Sequence, residues 1–502
     1  MLIFGKGGIH LNKVREVVFV HQRARRRLGA AADTAVYGLF GRSFTIVIGA
    51  ALVGIMSSTK DKCPAILPAL VVGAGFLCAL GLRELERRIA QRFPLEGDRR
   101  RVYKRTVAAA WAVMLLLQLA VVSLGVSQPI NDLSYVVTGA KNQVLYGPGH
   151  IYDGLPLRHS HYFAVYPNNH MLYMWVYLVY RIEYFLAGCL SDLPLVILNV
   201  IGINISYLLA CKCAGLIFAP EKAAVCALRG LMFTPLVTYA AVFYTDTSAM
   251  LPLTLGAWLY LRSMRSEKGR KIALLAGAGA ALGVAYKMKG SAGVFLIAVL
   301  IDILLKERTS GDRLRCAGTA TAVFAAVCVA VSAAGNALLH ITPQEREQYQ
   351  FPTVHWVMMS ADGRGGYEEQ DFYYTQSFQG IENKKSADLQ RLTSKLERQG
   401  PWGFAAHLMQ KLSYTWGDCT FMASYYTPSP VLRSVPVLGL SMLCHFTLLF
   451  SVLLSLTAPG VGNLRGRSFV FPLALMGLTV FLLIWEARCR YLISFFFLFM
   501  LI

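Results

Sequence analysis

Long apolar runs recur along the whole chain, with short polar segments between them. Most of the runs approach the ~20 residues that an α-helix needs to cross a bilayer. The pattern therefore predicts an all-α polytopic membrane protein. The predicted membrane helices are 43–58, 65–82, 107–126, 193–210, 230–244, 247–261, 272–285, 290–305, 317–339, 434–456 and 469–484. A last run reaches residue 502 before it attains the ~17 residues of a span, which leaves a tilted helix and a longer polypeptide both open.

Basic residues predict how these helices are oriented. Lys and Arg accumulate in cytoplasmic loops, so the basic segments 83–105, 262–271 and 306–315 are expected to face the cytoplasm. The net charge of +21 has the same origin, and it therefore does not favour a nucleic-acid-binding protein. Residues 1–42 are expected to be a basic cytoplasmic tail without a signal peptide, and 43–106 an accessory hairpin with its cytoplasmic loop.

One apolar run does not fit this alternation. Asp132 and Asp246 are both expected outside, so an even number of crossings must lie between them. Basic residues favour 193–210 and 230–244 as those crossings. The remaining run, 170–188, contains Arg181 and Glu183 among its Tyr and Trp residues and is expected to lie along the membrane surface. A spanning helix stays open for it.

The rest of the chain divides at the ends of the apolar runs. Residues 107–339 are expected to form a transmembrane core, 340–433 an external cap, and 434–502 the C-terminal membrane helices. The cap is too long for a simple turn between two helices, so short helices are expected within it.

Unusual polar residues fall at the outer ends of the apolar runs, and the predicted topology puts all of them on one face of the membrane. They are Asp132, Asp246, Lys289, Glu486, Arg488 and Arg490. Ionisable groups near a bilayer are costly unless they are used or paired. Their common location predicts a single functional site.

Asp132 is the candidate general base, because a carboxylate fixed at a helix end beside a polar cavity can deprotonate a hydroxyl group. The alternative is a solvated loop aspartate. Lys289, Arg490 and, less strongly, Arg488 are candidates for binding phosphate, since Arg forms paired hydrogen bonds to it and Lys provides a point charge. The alternative for both arginines is anchoring at the membrane interface.

The cap contains further candidates. His355 and Trp356 lie in a loop that can cover the site, and the Trp can stack on a sugar ring or pack within the loop. His355, Asp362 and Asp371 are acceptable ligands for a divalent cation, although no ligand spacing requires one. The mixed charges of 384–398 predict a solvated amphipathic helix.

Several short stretches at or near these positions resemble the sequence motifs of one protein superfamily. They are Phe163–Asn169, Phe243–Thr247, Ala285–Ala292, Pro352–Met359, Gly365–Tyr367 with Asp371, and Glu486–Tyr491. In this order they resemble the GT-C superfamily of integral-membrane glycosyltransferases. The resemblance is to the bacterial branch related to protein O-mannosyltransferases and to the aminoarabinose transferase of lipid A, and it spans 107–502.

The resemblance implies a GT-C-type helical bundle with extracytoplasmic loops and interfacial helices. It implies transfer of a sugar from a polyprenyl-phosphate donor to a cell-envelope glycan, lipid or protein at the outer face of the plasma membrane. The implied catalytic residues are Asp132 and Asp246, and the implied phosphate-binding residues are Lys289, Arg490 and Arg488. The implied substrate and cap residues are Tyr166, Asn168, Asn169, His355, Trp356, Asp371 and Glu486. The sugar, the acceptor and any need for Mg²⁺ or Mn²⁺ stay open.

A transporter or flippase for a lipid-linked sugar or an anion is the alternative function. Transporters of this kind commonly show inverted repeats and place their polar residues near the middle of the bilayer. Here the polar residues cluster at one face, and no internal repeat is visible in the sequence. The pattern therefore favours an enzyme at the membrane interface, with an inactive assembly protein as a third hypothesis.

Overall fold

The structure is a computed structural model that describes residues 38–59, 64, 66–125, 127–156, 159–307, 309–427, 429–457 and 469–502. No strand occurs within these ranges. In chain order the helices are α1 (Gly38–Thr59), α2 (Ile66–Arg92), α3 (Glu96–Ser123), α4 (Asp132–Tyr146), α5 (Tyr162–Val165), α6 (His170–Ala187), α7 (Leu193–Ile217), α8 (Pro220–Met232), α9 (Pro235–Thr238), α10 (Thr245–Ser248), α11 (Met250–Ser263), α12 (Lys268–Met288), α13 (Gly293–Lys306), α14 (Ser310–Leu338), α15 (Pro343–Tyr349), α16 (Thr353–Met359), α17 (Glu369–Gln376), α18 (Ile381–Gly417), α19 (Ala423–Tyr426), α20 (Val435–Thr457), α21 (Val470–Ile484) and α22 (Phe496–Leu501).

Seven of the helices in the described ranges are long and apolar enough to cross a membrane: α1, α2, α3, α7, α12, α14 and α20. Shorter apolar helices are α21 and the segment Cys489–Leu501. Helices suit this environment because they satisfy every backbone N–H and C=O group within the segment. The prediction of an all-α polytopic membrane protein is confirmed. Of the predicted tail, residues 1–37 lie outside the described residues, and α1 already includes 38–42.

Glycine residues bring α12 close to α14. A side chain at Gly279 would overlap the backbone of Ala320, and one at Gly283 would press on Phe324 and Val327. Small residues four positions apart on one helix face allow two helix backbones to approach in this way. The close pair fixes the end of α12, where the chain turns into the site.

The first hairpin packs into the C-terminal part of the molecule. Helix α2 lies along α20, and the rings of Phe76 and Phe450 are 5.3 Å apart. A side chain at Gly75 would crowd Phe446 on α20. The hairpin therefore supports the helix that precedes the C-terminal site residues.

The prediction that 230–244 forms one membrane helix is wrong. Helix α8 ends at Met232, α9 is a single turn, and 239–244 are not helical. Pro235 interrupts the helix because it lacks the backbone N–H that would donate to residue 231, and the chain leaves helical geometry at Phe233, whose ψ is 86°. The side-chain amide of Asn199 then holds the unwound segment by donating to three carbonyls, those of Tyr239, Ala240 and Val242, at 2.8, 3.0 and 3.1 Å. This segment leads directly into α10.

The predicted crossings 247–261 and 290–305 become two 14-residue helices, α11 and α13. Each measures about 21 Å at 1.5 Å per residue, less than the ~30 Å hydrocarbon core. A short helical turn extends each at its start: α10 before α11, and Gly290–Ala292 before α13. Asp246 lies in the first of these turns, and Lys289 directly precedes the second.

Helix α6 coincides with the apolar run 170–188. It is not among the seven candidate spans, and it packs against α4 and α14. Both orientations considered for it, along the surface and across the membrane, stay open.

The segment 340–433 contains the expected short helices, α15, α16, α17 and α19, together with the long α18. Helix α18 bends at Gly400, whose φ of 62° and ψ of 178° favour glycine, and Pro401 follows the bend. The expectation that 384–398 is a solvated helix is wrong for one face, since Lys384, Asp388 and Lys395 are buried. That face of α18 packs into the interior of the cap.

Candidate functional site

Asp246 is the most enclosed acidic residue among the predicted site residues. It lies in the single turn α10 with 0% of its surface exposed. The ammonium group of Lys289 and the guanidinium group of Arg490 both pair with its carboxylate, with Nη1 of Arg490 2.5 Å from Oδ2. Ser494 Oγ donates to its backbone carbonyl at 2.8 Å. The end of α12 and the 3₁₀ segment Cys489–Phe495 therefore converge on α10.

Two cations face one carboxylate in this cluster, which leaves one positive charge in excess. Burial by itself raises the pKa of the Asp246 carboxyl, but the charges of Lys289 and Arg490 outweigh burial and hold that pKa below its ordinary value. Burial lowers the pKa of the Lys289 ammonium to about 8, although Asp246 opposes the shift. Because a guanidinium group does not deprotonate in proteins, Arg490 is the permanent partner of Asp246. Lys289 is the cation whose charge is most easily lost.

Asp132 begins α4 and is only partly buried. The preceding Asn131 has a φ of 51°, an uncommon value for a residue other than glycine. Two tyrosine hydroxyls donate to the carboxylate of Asp132: Tyr162 to Oδ1 at 2.8 Å, and Tyr244 to Oδ2 at 3.1 Å. The carboxylate is therefore held in one orientation while part of the residue stays accessible.

The predicted Asn residues connect to Asp132 through one of these tyrosines. Asn169 is buried and donates from Nδ2 to the hydroxyl oxygen of Tyr162 at 2.6 Å. Asn168 is exposed, and its Nδ2 lies 3.4 Å from Oδ1 of Asn169. Asn169 therefore orients Tyr162, while Asn168 lies at the edge of the network.

Tyr244 connects the two carboxylates. Its hydroxyl binds Asp132, and its ring lies 4.7 Å from the guanidinium carbon of Arg490, which in turn binds Asp246. A guanidinium over an aromatic face is a favourable cation–π contact. The structure thus brings Asp132, Asp246, Lys289 and Arg490 into one continuous set of contacts.

Glu486 and Arg488 form a separate pair beside this set. Arg488 Nε lies 2.7 Å from Oε1 of Glu486, and the hydroxyl of Tyr491 donates to Oε2 at 2.9 Å. The ring of Tyr491 also lies 4.1 Å from Nζ of Lys289. Arg488 therefore does not bind Asp246, and it retains some exposure at the edge of the cluster.

Aromatic residues join the cap to this network. Tyr166 is buried and contacts the ring of Tyr162 at 5.0 Å and that of Trp356 at 5.8 Å. Trp356 also stacks near Trp485, at 6.3 Å between ring centroids. Trp356 thus lies next to the residues that surround Asp132, and it remains partly exposed.

Asp371 is committed to ion pairs within the cap. Its oxygens bind Nε of Arg391 at 2.8 Å and Nζ of Lys395 at 2.6 Å, and Lys395 also binds Asp362 at 2.9 Å. No group of three His, Cys, Asp or Glu side chains in the described ranges is arranged to hold a metal ion. Asp362 and Asp371 instead share the ammonium group of Lys395, with Arg391 as the second cation on Asp371, so the structure does not arrange them with His355 as a metal site.

His355 is also directed into the cap. It is fully buried, and its Nδ1 lies 2.7 Å from Oγ1 of Thr375, which donates to Asp388 at 2.6 Å. Burial, together with a smaller effect of the nearby charge of Lys395, lowers the pKa of His355 to about 3. His355 is therefore neutral at physiological pH, and its contacts are those of a structural residue.

The sequence analysis assigned no role to three residues that take part in the networks described above: Tyr162, Tyr244 and Lys395. Tyr162 directly precedes the stretch Phe163–Asn169, and Tyr244 lies within the stretch Phe243–Thr247, where no role was assigned to it. Lys395 carried no local signal, because its role depends on how α18 packs against α16 and α17. Tertiary contacts alone identify it.

These features define a polytopic α-helical membrane protein with a buried ionic cluster where the end of α12 meets α10 and the segment Cys489–Phe495. Residues 100–424 match the model of a family described as "Conserved hypothetical integral membrane protein", and the chain belongs to that family. The match includes Asp132, Asp246 and Lys289, whereas Glu486, Arg488 and Arg490 follow it in the sequence. No curated protein and no solved structure matches the chain.

Proposed function

We propose that this protein is a GT-C-like membrane glycosyltransferase that moves a sugar from a polyprenyl-phosphate donor to a cell-envelope acceptor. The observation that carries the proposal is the contact set Asp132–Tyr244–Arg490–Asp246–Lys289. It places an accessible carboxylate beside a buried cluster with excess positive charge. A transfer reaction with an anionic leaving group requires both.

Asp132 is the general base in this proposal. Its carboxylate accepts the proton of the acceptor hydroxyl while the hydroxyl oxygen attacks the anomeric carbon of the sugar. The bond from that carbon to the phosphate oxygen breaks, and its electron pair leaves with polyprenyl phosphate. Tyr162 and Tyr244 fix the direction of the carboxylate, so the orientation needed for proton transfer exists before substrate binds.

The leaving group is stabilised by cations in this proposal. Charge develops on the phosphate oxygens as the bond breaks, and fixed charges in a dry site stabilise such charge most effectively. Lys289 and Arg490 share one carboxylate, so the cluster can accept a further anion without burying an uncompensated negative charge. Asp246 is then the residue that positions the two cations.

The direct test is an assay of the purified protein with a panel of polyprenyl-phosphate sugars. The expected result is release of polyprenyl phosphate that depends on an acceptor extracted from the cell envelope. Asp132→Asn should abolish this release. The matched control is Asp153→Asn, because Asp153 is an exposed carboxylate that pairs with His150 and not with the cluster around Asp246.

The same preparation in proteoliposomes separates the enzyme from a transporter. Movement of a lipid-linked sugar across the bilayer without cleavage of its phosphate bond would overturn the proposal in favour of a flippase. Cleavage without net translocation would support the transferase.

A further inference from the structure

The two halves of α18 expose different surfaces. Before the bend at Gly400 the exposed residues are mainly polar or charged, among them Thr393, Glu397 and Arg398, with Leu389 and Leu396 as apolar exceptions. After it the exposed side chains are mainly apolar: Trp402 at 88%, Phe404 at 38% and Met409 at 43%, together with Ala405 and Ala406. Such a contiguous apolar surface marks contact with a partner or a membrane.

The end of α18 lies beside the middle of a candidate membrane helix. His445 is near the centre of α20, and its Nε2 donates to the carbonyl oxygen of Trp416 at 2.7 Å. The ring of Trp416 is fully buried and lies 6.0 Å from that of Phe44 on α1. A side chain at Gly54 on α1 would overlap the backbone of Ser413 and Gly417. The second half of α18 is therefore packed among membrane-spanning helices.

The chain reverses direction directly after α18. Asp418 Oδ1 accepts hydrogen bonds from the backbone N and Oγ1 of Thr420, at 2.9 and 2.6 Å. Phe421 and Met422 both have positive φ, and the hydroxyl of Tyr239 donates to the carbonyl of Phe421 at 2.6 Å. Irregular backbone at membrane depth is tolerated only where protein surrounds it or a cavity adjoins it. Phe421, with 1% exposure, meets that condition.

We propose that residues 401–427 form a re-entrant loop whose Trp402–Met409 surface is covered by the acyl chains of the bilayer. The descending arm is the half-helix 401–417, about 25 Å long, and the ascending arm includes α19. Lipid is the occupant because the same half-helix, further along at residues 413–417, packs against α1 and α20, which are candidate spans. The length reaches the middle of a ~30 Å hydrocarbon core but does not cross it.

The loop also brings its ascending arm to the ionic cluster. The ring of Tyr426 lies 5.5 Å from the guanidinium carbon of Arg490 and 5.8 Å from the ring of Tyr244. Lys411 on the descending arm donates to the carbonyl of Trp485 at 2.9 Å. The re-entrant loop therefore forms a wall of the site. The inference does not depend on which reaction the site performs, and it moves part of 340–433 from the cap into the membrane.

Photocrosslinking in phospholipid vesicles tests the proposal. Benzoylphenylalanine introduced singly at Trp402, Ala405 or Met409 should form protein–phospholipid adducts that mass spectrometry detects. The matched controls are the same substitution at Thr393 and Glu397, which are exposed on the same helix before the bend. These should give adducts at least about tenfold less often.

Equal adduct yields before and after the bend would overturn the proposal, as would adducts absent from all three positions in folded protein. Ala405 provides a position where no native aromatic packing is lost, so a folding defect at Trp402 does not obscure the result. A crosslink from Met409 to a second copy of this chain, without lipid adducts, would identify a protein interface instead.

Discussion

Two buried acidic residues of this protein, Asp246 and Asp371, have nearly the same ionic environment. Asp246 binds Lys289 and Arg490, and Asp371 binds Lys395 and Arg391. Both were predicted from motifs to belong to the site. The two residues differ in the groups that their cations contact next.

The cations of the membrane cluster lead towards an accessible group. Arg490 lies over Tyr244, whose hydroxyl binds the partly exposed Asp132. Lys395 in the cap binds Asp362, which is also partly exposed, and the backbone carbonyl of Met358. Asp362 is therefore ion-paired, whereas Asp132 accepts its hydrogen bonds from two neutral tyrosine hydroxyls. A buried ion pair is therefore poor grounds for assigning function, and the contacts around it decide. Structural pairs are expected to change stability when broken, whereas functional pairs also change activity.

The largest expected effect concerns Asp132. Asp132→Asn keeps the hydrogen bonds from the two tyrosines within reach but removes the proton acceptor. Sugar transfer should fall by roughly 10²–10⁴-fold, the usual cost of losing a general base. The measurement is initial rate of polyprenyl phosphate release, with melting temperature as the check on folding.

Donor binding separates a chemical defect from a structural one in that variant. Asp132→Asn should bind a polyprenyl-phosphate sugar about as tightly as the wild type, while Asp153→Asn should match the wild type in both rate and binding. Transfer by Asp132→Asn within tenfold of the wild-type rate would remove Asp132 from the general-base role.

The second prediction compares the two clusters directly. Asp246→Asn leaves two buried cations without a counter-charge and should destabilise the protein by about 3–5 kcal/mol. Asp371→Asn should cost less, because Lys395 retains Asp362 and Arg391 is partly exposed. Chemical or thermal unfolding in detergent measures both changes.

Activity per folded molecule then distinguishes the roles of the two acids. It should be lost in Asp246→Asn and remain within about twofold in Asp371→Asn. If Asp371→Asn were inactive while its unfolding was unchanged, the cap cluster would be functional and the distinction drawn between the two acids would fail.

Much of the fold could be predicted from the sequence because apolar runs of ~20 residues have few alternatives in a bilayer. The break in 230–244 could be predicted from Pro235, but the course of the unwound residues 239–244 could not, since it depends on Asn199, a residue on another helix. The buried face of 384–398 was missed for a similar reason: Lys395 and Asp388 appear solvated in sequence and are buried by tertiary packing.

The site was predictable in part for the same physical reasons. Charged residues at the ends of apolar runs are costly, so their positions were informative, and the structure brings Asp246, Lys289 and Arg490 together. The side chains of His355 and Asp371 are directed into the cap, which the cap motif does not reveal. Tyr162 and Tyr244 were overlooked because neither bears a charge.

The third prediction uses the pKa of Lys289. Burial lowers that pKa to about 8, so the ammonium is charged below pH 8 and neutral above it. Donor binding should therefore weaken as the pH rises through about 8, by about 1.5–3 kcal/mol if one charge-assisted hydrogen bond is lost. Lys289→Arg should abolish this decline because arginine stays protonated.

Deprotonation of Lys289 does not weaken donor binding by unfolding the protein. The pKa of Lys289 is lower in the folded chain than its ordinary value of 10.5, so the unfolded state binds more protons between about pH 8 and 10.5 and stability rises with pH there. Lys287→Arg is the matched control, since Lys287 binds Ser332 and not Asp246. If donor binding still weakened as the pH rose through about 8 in Lys289→Arg, the titrating group would be a residue other than Lys289.

The fourth prediction has the smallest expected effect. It tests the hydrogen bond from Tyr244 to Asp132, which connects the membrane cluster to an accessible carboxylate. Tyr244→Phe removes the hydroxyl that donates to Asp132 and keeps the ring beneath Arg490. At 3.1 Å this bond is at the long end for an O–H donor, so its loss should cost only about 1 kcal/mol, or about fivefold in kcat/KM. Tyr374→Phe, in the cap, should change nothing measurable. Because the ring persists, donor binding should be unaffected and the loss should appear in kcat. A Tyr244→Phe variant with wild-type kcat would show that Asp132 acts without help from the cluster, and the accessible carboxylate and the buried cations would then have to be treated as two independent sites.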